Sequence, residues 1–242
     1  LAHEDDPKLL DRKPPVPGSG YQAGLPFGAP LPGGGANTAA SSGFDASGVE
    51  LGSWLTFADL GNGSDNGNDC WGYVSPSGRE YALMGTTSAT IVVEVRNPAA
   101  PVVIQRIAGP NSVWRDIKTY QDRAYAVSEG GNGIQVINLS NVDSGVVTLE
   151  NTITGNGTDA SHNVAIDEDS GFLYRSGGGS NGLRIYSLAN PGTPVYVGQW
   201  IARYVHDVQV VTYTTGAFAG REIAYCCAGL NGGSQDTGLT VV

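Results

Sequence analysis

Pairs of polar residues recur along the chain, and side chains of these types can bind metal ions. The pairs follow one another at steps of about 45 residues: Asn68-Asp69, Arg115-Asp116, His162-Asn163 and His206-Asp207. If the four pairs meet, their imidazoles and carboxylates suit Zn²⁺, Mn²⁺ or a similar ion, and the carboxylates alone suit Ca²⁺. A metal-dependent binder or enzyme is therefore one interpretation of these residues.

The same recurrence has a structural interpretation, which we favour. A polar side chain that is present in every repeat more often hydrogen-bonds the backbone of the next repeat. The spacings H-x-H, H-E-x-x-H and C-x-x-C, which are typical of metal sites, do not occur in the sequence. We therefore predict no catalytic residue and no cofactor, and a bound Ca²⁺ or transition-metal ion remains the alternative.

Two other kinds of chemistry have weaker support. Ser161 and His162 are neighbours, but adjacent residues of a strand point to opposite faces, so they do not form a nucleophile–base pair. The Gly-rich stretches 128–133 and 176–182 are each followed by a strand-like run, whereas phosphate-binding loops precede a helix. The chain is thus more in keeping with a binding or structural protein than with an enzyme.

The elements that carry the polar pairs are short runs rich in Val, Ile and Tyr, separated by Gly, Asn or Pro. Gly contributes 36 of the 242 residues and charged residues only 15%, a composition that disfavours a helical bundle. Several strands per repeat of about 45 residues are typical of β-propeller blades. We predict an all-β fold, a β-propeller over residues 49–242, with four visible repeats at 68–111, 112–159, 160–203 and 204–242.

The closure of the ring has two interpretations. The stretch VELGSWLTF, within residues 49–58, resembles the outer strand of a repeat and is predicted to complete the last blade, which would remove an exposed edge. Either the four repeats close as they stand, or they form part of a larger ring. We favour the larger ring, because the sequence ends on a strand-like run, GLTVV, with no outer strand after it.

Residues 1–48 are dense in Pro and Gly and show no periodicity. This composition predicts an extended arm that packs on another surface, by strand addition to a neighbouring copy for example. We therefore expect a homo-oligomer or an extended assembly that forms through residues 1–48.

Several features predict a secreted or cell-surface protein. The chain opens LAHEDDPK without an initiator Met, as a mature secreted protein would. Three N-x-S/T sequons are candidate glycosylation sites: Asn62, Asn138 and Asn156. The cysteines could form a strained vicinal bridge, pair across blades or with a cysteine elsewhere, or remain thiols: Cys70, Cys226 and Cys227.

The charge and the hydropathy of the chain argue against a nucleic-acid partner and against a membrane span. The net charge is −10 and Lys and Arg form no cluster, so a nucleic-acid backbone would be repelled. No apolar run approaches the roughly 18 residues of a membrane span. We expect neither a nucleic-acid partner nor a membrane span in this chain.

Four long stretches resemble the choice-of-anchor B family, whose members carry LVIVD repeats: NDCWGYVSPSGREYALMG, WRDIKTYQDRAYAVSEGG, SHNVAIDEDSGFLYRSGG and YVHDVQVVTYTTGAFAGREIAYC. The resemblance covers roughly residues 45–242 and, more weakly, the first dozen. It implies a propeller that is displayed at the cell surface by a C-terminal anchor, without an established enzymatic activity. We therefore expect an exported structural or interaction module.

Overall fold

The computed structural model describes residues 21–22, 51–229 and 238–242. In this part of the chain, four antiparallel sheets are arranged as a propeller of four blades, and the helical content is confined to short 3-10 turns. The predicted all-β propeller is confirmed. Among these residues, no helix has both the length and the apolar character needed to cross a membrane.

Each sheet is a meander of consecutive strands. Sheet I contains β3 Gly67–Val74, β4 Glu80–Thr86, β5 Ala89–Glu94 and β6 Val102–Ala108. Sheet II contains β7 Arg115–Tyr120, β8 Arg123–Ser128, β9 Ile134–Asn141 and β10 Val146–Ile153. Sheet III contains β11 Asn163–Asp167, β12 Phe172–Ser176, β13 Leu183–Ser187 and β14 Val195–Trp200. Sheet IV contains β15 Tyr204–Tyr213, β16 Arg221–Gly229 and β17 Gly238–Val241.

The sheets are held together by apolar clusters between their faces. Alternate residues of a strand point to opposite faces, so each inner sheet supplies side chains to two clusters. Ile117 of sheet II packs against sheet I, whereas Tyr125 of the same sheet packs against sheet III. A third cluster joins sheet III to sheet IV through Tyr174 and Val208. These clusters bury the Val, Ile and Tyr runs that the repeats share.

The segment before sheet I corrects one prediction. Within residues 49–58, Ser53–Trp54 (β2) pairs with Tyr21–Gln22 (β1), so it is not hydrogen-bonded to sheet IV. Leu55 and Phe57 pack against a cluster of sheet I that includes Ile91. The segment therefore covers the outer face of sheet I rather than completing the last blade, because its apolar side chains are buried against that sheet.

The predicted arm is described only at β1. The rest of residues 1–48, and the expectation that they pack on another copy, lies outside the described residues. Sheets II, III and IV each lie within one predicted repeat, and sheet I begins one residue before the first repeat.

Candidate functional site

The first strands of the sheets lie side by side around the axis: β3 contacts β7, β7 contacts β11, and β11 contacts β15. A cavity of about 440 Å³ opens between them. Its lining contains seven of the eight predicted residues, together with one indole that the sequence did not single out: Asn68, Asp69, Trp114, Arg115, Asp116, His162, Asn163 and His206. Asp207, the eighth, is exposed and does not line the cavity.

Two aspartates connect neighbouring sheets. Oδ2 of Asp69 accepts a hydrogen bond from the backbone N–H of Ile117, at 2.9 Å. Oδ2 of Asp116, one sheet further, accepts a hydrogen bond from the backbone N–H of Val164, at 2.7 Å. Each carboxylate thus satisfies a backbone donor of the next first strand, as the structural interpretation requires.

The asparagines at the axis also bond to neighbouring strands. Nδ2 of Asn68 donates to the carbonyl oxygen of Val113, and Nδ2 of Asn163 donates to that of His206, at 2.9 Å. Asp207 differs from Asp69 and Asp116: its Oδ1 accepts the backbone N–H of Val208 in its own strand, at 2.7 Å.

Burial changes the electrostatics of Asp116, which is only 7% exposed. Loss of solvation raises the pKa of this carboxyl from 3.8 to about 6, although Lys118 opposes the shift. The Lys118 Nζ lies 2.7 Å from Oδ1 of Asp116 and 3.7 Å from Oδ2 of Asp69. The same ammonium lies 4.4 Å from the ring centroid of Trp71. One lysine therefore balances two carboxylates at the junction of sheets I and II.

Arg115 is buried, and its guanidinium donates hydrogen bonds to backbone carbonyl oxygens. Its Nε donates to the carbonyl oxygen of Thr86 at 3.0 Å, and its Nη2 donates to that of Pro110 at 2.6 Å. Burial lowers the pKa of this guanidinium to about 10. The side chain thus fastens sheet II to sheet I.

Aromatic rings form a stack beside these residues. The His162 ring centroid lies 5.1 Å from that of Trp114 and 4.1 Å from that of His206. Nδ1 of His162 is 2.7 Å from Oε1 of Glu129, and both side chains are buried. The three rings and the Glu129 carboxylate thus connect sheets II, III and IV.

Two residues of this group, Trp114 and Glu129, are not among the site residues predicted from the sequence. The pairing of β7 with β8 explains the position of Glu129, because Ser128 lies opposite Arg115, and Arg115 is at the axis. The residue after Ser128 must therefore emerge at the axial end of the sheet.

The stack brings the imidazoles together without a metal-binding arrangement. In the portion of the chain that the structure describes, no group of three or more His, Cys, Asp or Glu side chains could hold a metal ion. The two imidazole rings instead pack against each other with their planes inclined by 49°.

All three cysteines are free thiols, so none of the candidate disulfides forms between them. Cys226 is buried, and Cys70 and Cys227 are exposed. Cys226 and Cys227 are consecutive in β16, and their side chains lie on opposite faces because of the strand alternation.

The three sequons lie in different environments. Nδ2 of Asn62 donates to Oδ1 of Asp65 at 3.0 Å and to Oγ of Ser88 at 3.3 Å. Asn138 is in β9, between partner strands on both sides. Asn156 is exposed in a loop, with a left-handed φ of 60°. The amide nitrogen that a glycan would modify is therefore most accessible at Asn156.

Similarity to known proteins is found among solved structures. No family model and no curated protein matches the chain. A solved protein from Lactobacillus plantarum superposes with a TM-score of 0.47 and 14% identity, over 74% of this chain and 54% of its own. A chain of an active polycomb repressive complex 2 in the basal state superposes with a TM-score of 0.44 and 14% identity, over 72% of this chain and 39% of its own.

The chain therefore spans about half the length of the Lactobacillus protein. Membership of the choice-of-anchor B family stays a prediction from the sequence resemblance. The sheet topology establishes the chain as a β-propeller.

Proposed function

We propose that the chain is an exported, cell-surface propeller of the choice-of-anchor B type that acts as a structural or interaction module and associates with copies of itself. A propeller is a rigid scaffold on which faces, edges and loops can bind other molecules. The axial polar residues carry the proposal, because Asp69 and Asp116 each hold the first strand of the next sheet. Side chains used in this way maintain a scaffold.

The proposal is tested by the particle mass of the protein in solution, with and without residues 1–48. Removing them takes away β1, a strand that pairs only with β2 among the described residues, so the four sheets should remain folded. We expect an assembly larger than the 25.0 kDa chain for the intact protein and a smaller one after the deletion. Light scattering measures both masses, and circular dichroism checks that the sheets persist.

Each outcome of the mass measurement is informative. If the intact protein is a monomer at every concentration, self-association is refuted. If both forms are equally large, the association does not depend on residues 1–48, and another surface of the propeller must mediate it.

The proposed export leads to a prediction about the sequons. When the chain is produced through a eukaryotic secretory pathway, we expect a glycan at Asn156 and none at Asn138. A glycan on Asn62 would disrupt the hydrogen bonds of its Nδ2 to Asp65 and Ser88. Mass spectrometry of glycopeptides measures occupancy, with Asn156→Gln as the test and Asn138→Gln as the matched control. A glycan at Asn138 alone would contradict the argument from accessibility.

A further inference from the structure

Two arginines are buried on the face of sheet III that packs against sheet II. Arg175 of β12 lies opposite Arg184 of β13, so the two side chains project from the same face of the sheet. Leu173 and Tyr186 lie on that face too, and they belong to the apolar cluster between sheets II and III. Arg175 is 1% exposed and Arg184 is 6% exposed. We call these two residues the arginine pair, and neither of them lines the axial cavity.

The loop that follows sheet II, residues 154–159, lies directly over the arginine pair. Nη2 of Arg175 donates to the carbonyl oxygens of Gly155 and Thr158. Nε of Arg184 donates to the carbonyl oxygen of Asn156 at 2.6 Å. These acceptors are neutral. The loop therefore provides hydrogen bonds to the pair without balancing its charge.

The backbone of this loop is in a conformation that needs support. Three consecutive residues have a positive φ: Gly155 at 94°, Asn156 at 60° and Gly157 at 105°. A Cβ added at Gly157 would lie 2.8 Å from Nη2 of Arg184, so the backbone touches the guanidinium. Residues 154–157 are exposed. The loop is thus the layer that separates the arginine pair from solvent.

Arg175 has donor groups that no acceptor satisfies. Its Nε and Nη1 atoms are buried and have no hydrogen-bond partner among the described residues. The Tyr186 hydroxyl, on the same face, is also buried and without a partner there. Nη1 of Arg184, in contrast, donates to the carbonyl oxygen of Asn181 at 3.3 Å. Buried unpaired donors are rare in folded proteins and indicate a water molecule or an ion.

Sheet II shows how a buried guanidinium is satisfied within the chain. Arg115 is as deeply buried as Arg175, but its Nη1 lies 3.3 Å from Oε1 of Gln135. Gln135 is the second residue of β9, and Arg184 is the second residue of β13. Sheet III therefore has a second cation at the position where sheet II has an acceptor.

The arginine pair also lacks a negative partner. No carboxylate in the described part of the chain lies within ion-pair distance of either guanidinium. Loss of solvation lowers the pKa of Arg175, and the charge of Arg184 lowers it further, whereas Tyr186 and Asp159 act in the opposite direction. Arginine nevertheless stays protonated in proteins. Because a buried cation without a counter-charge is strongly unfavourable, the pair requires an anion.

We propose that a monatomic anion, chloride, binds to the arginine pair beneath loop 154–159. It accepts a hydrogen bond from an unpaired N–H group of Arg175 and lies in the electrostatic field of both guanidiniums. The depth of burial favours a single-atom ligand over a larger oxyanion. A water molecule would satisfy the donors but would leave both positive charges uncompensated.

The first test locates the anion directly in the wild-type protein. Crystals are grown with bromide in place of chloride, and anomalous diffraction identifies the bromide positions. We expect a peak within hydrogen-bond distance of the Arg175 guanidinium. A water molecule at that place, or bromide at exposed side chains alone, would overturn the proposal.

The second test measures the anion's effect on stability in solution. An anion that binds only the folded state stabilises it by mass action. We therefore expect the midpoint of urea unfolding to be higher in sodium chloride than in sodium gluconate at equal ionic strength. Equal midpoints of the wild type in the two salts would refute the proposal.

Two variants of the arginine pair assign this effect to the site. Arg175→Met should abolish the difference between the two salts. Arg184→Gln places at β13 the residue that sheet II has, so its amide oxygen replaces the anion and the difference should again be lost. Arg115→Met is the matched control: it removes an equally buried guanidinium whose donors have partners, so it should lower stability in both salts and keep the difference.

A chloride effect that persists in Arg175→Met and in Arg184→Gln would place the anion elsewhere and contradict the proposal. The outcome is independent of self-association, because both arginines and the loop belong to one chain.

Discussion

Replacing Gly182 by alanine is expected to detach the outer strand of sheet III and to lower the free energy of unfolding by about 3 kcal/mol. Gly182 precedes β13 with a φ of +81°, and an added Cβ would lie 1.6 Å from the carbonyl oxygen of Trp200. That oxygen belongs to the backbone of β14, so relief requires the two strands to separate. Gly133 occupies the same place before β9 of sheet II, 1.9 Å from the oxygen of Ile153.

The matched control for this substitution is Gly179→Ala in the same loop. Its φ is +91°, but no heavy atom lies within 4 Å of the added Cβ. The control therefore adds only the backbone cost of a left-handed residue, about 1 to 2 kcal/mol. Urea unfolding followed by circular dichroism measures both variants. Equal losses of stability would show that the contact with Trp200 has no role.

The second large effect concerns pH. Asp116 has a pKa of about 6 in the folded protein and an ordinary value of 3.8, so the folded state holds this proton more tightly than the unfolded chain. Its contribution to stability is therefore greatest below pH 4 and declines as the pH rises through 6. The difference of about two pKa units corresponds to about 3 kcal/mol.

The Asp116→Asn variant lacks this titration. Its amide oxygen can still accept the N–H of Val164, which isolates the effect of the charge. We expect its free energy of unfolding, measured by urea at pH 4 and at pH 7, to change less than that of the wild type by up to this amount. Parallel profiles for the wild type and Asp116→Asn would contradict the effect of burial.

The repeated sequence pattern was enough to predict the propeller and most of the cavity lining. Recurrence of Asp69 and Asp116 at equivalent positions indicated bonds between blades, and the structure contains both bonds. Because side chains alternate along a strand, Cys226 and Cys227 lie on opposite faces of sheet IV.

Other features depend on tertiary contacts that local sequence does not specify. The segment around Leu55 resembles an outer strand, but it packs on sheet I, because an apolar pattern does not indicate which sheet it will meet. In the sequence, Glu129 resembles a solvated turn residue. The pairing of β7 with β8 places it beside His162. The pairing of these two groups could not be predicted from their separation along the chain.

The hydrogen bonds of Asp69 and Asp116 join sheets I, II and III into a linear series, in which each sheet is bonded to the next along the chain. In such a linear array, the stability of a unit depends on its immediate neighbours. Sheet IV has a described neighbour on one face only. We therefore expect the amide hydrogens of sheet IV to exchange before those of sheets II and III, which pack between neighbours on both faces.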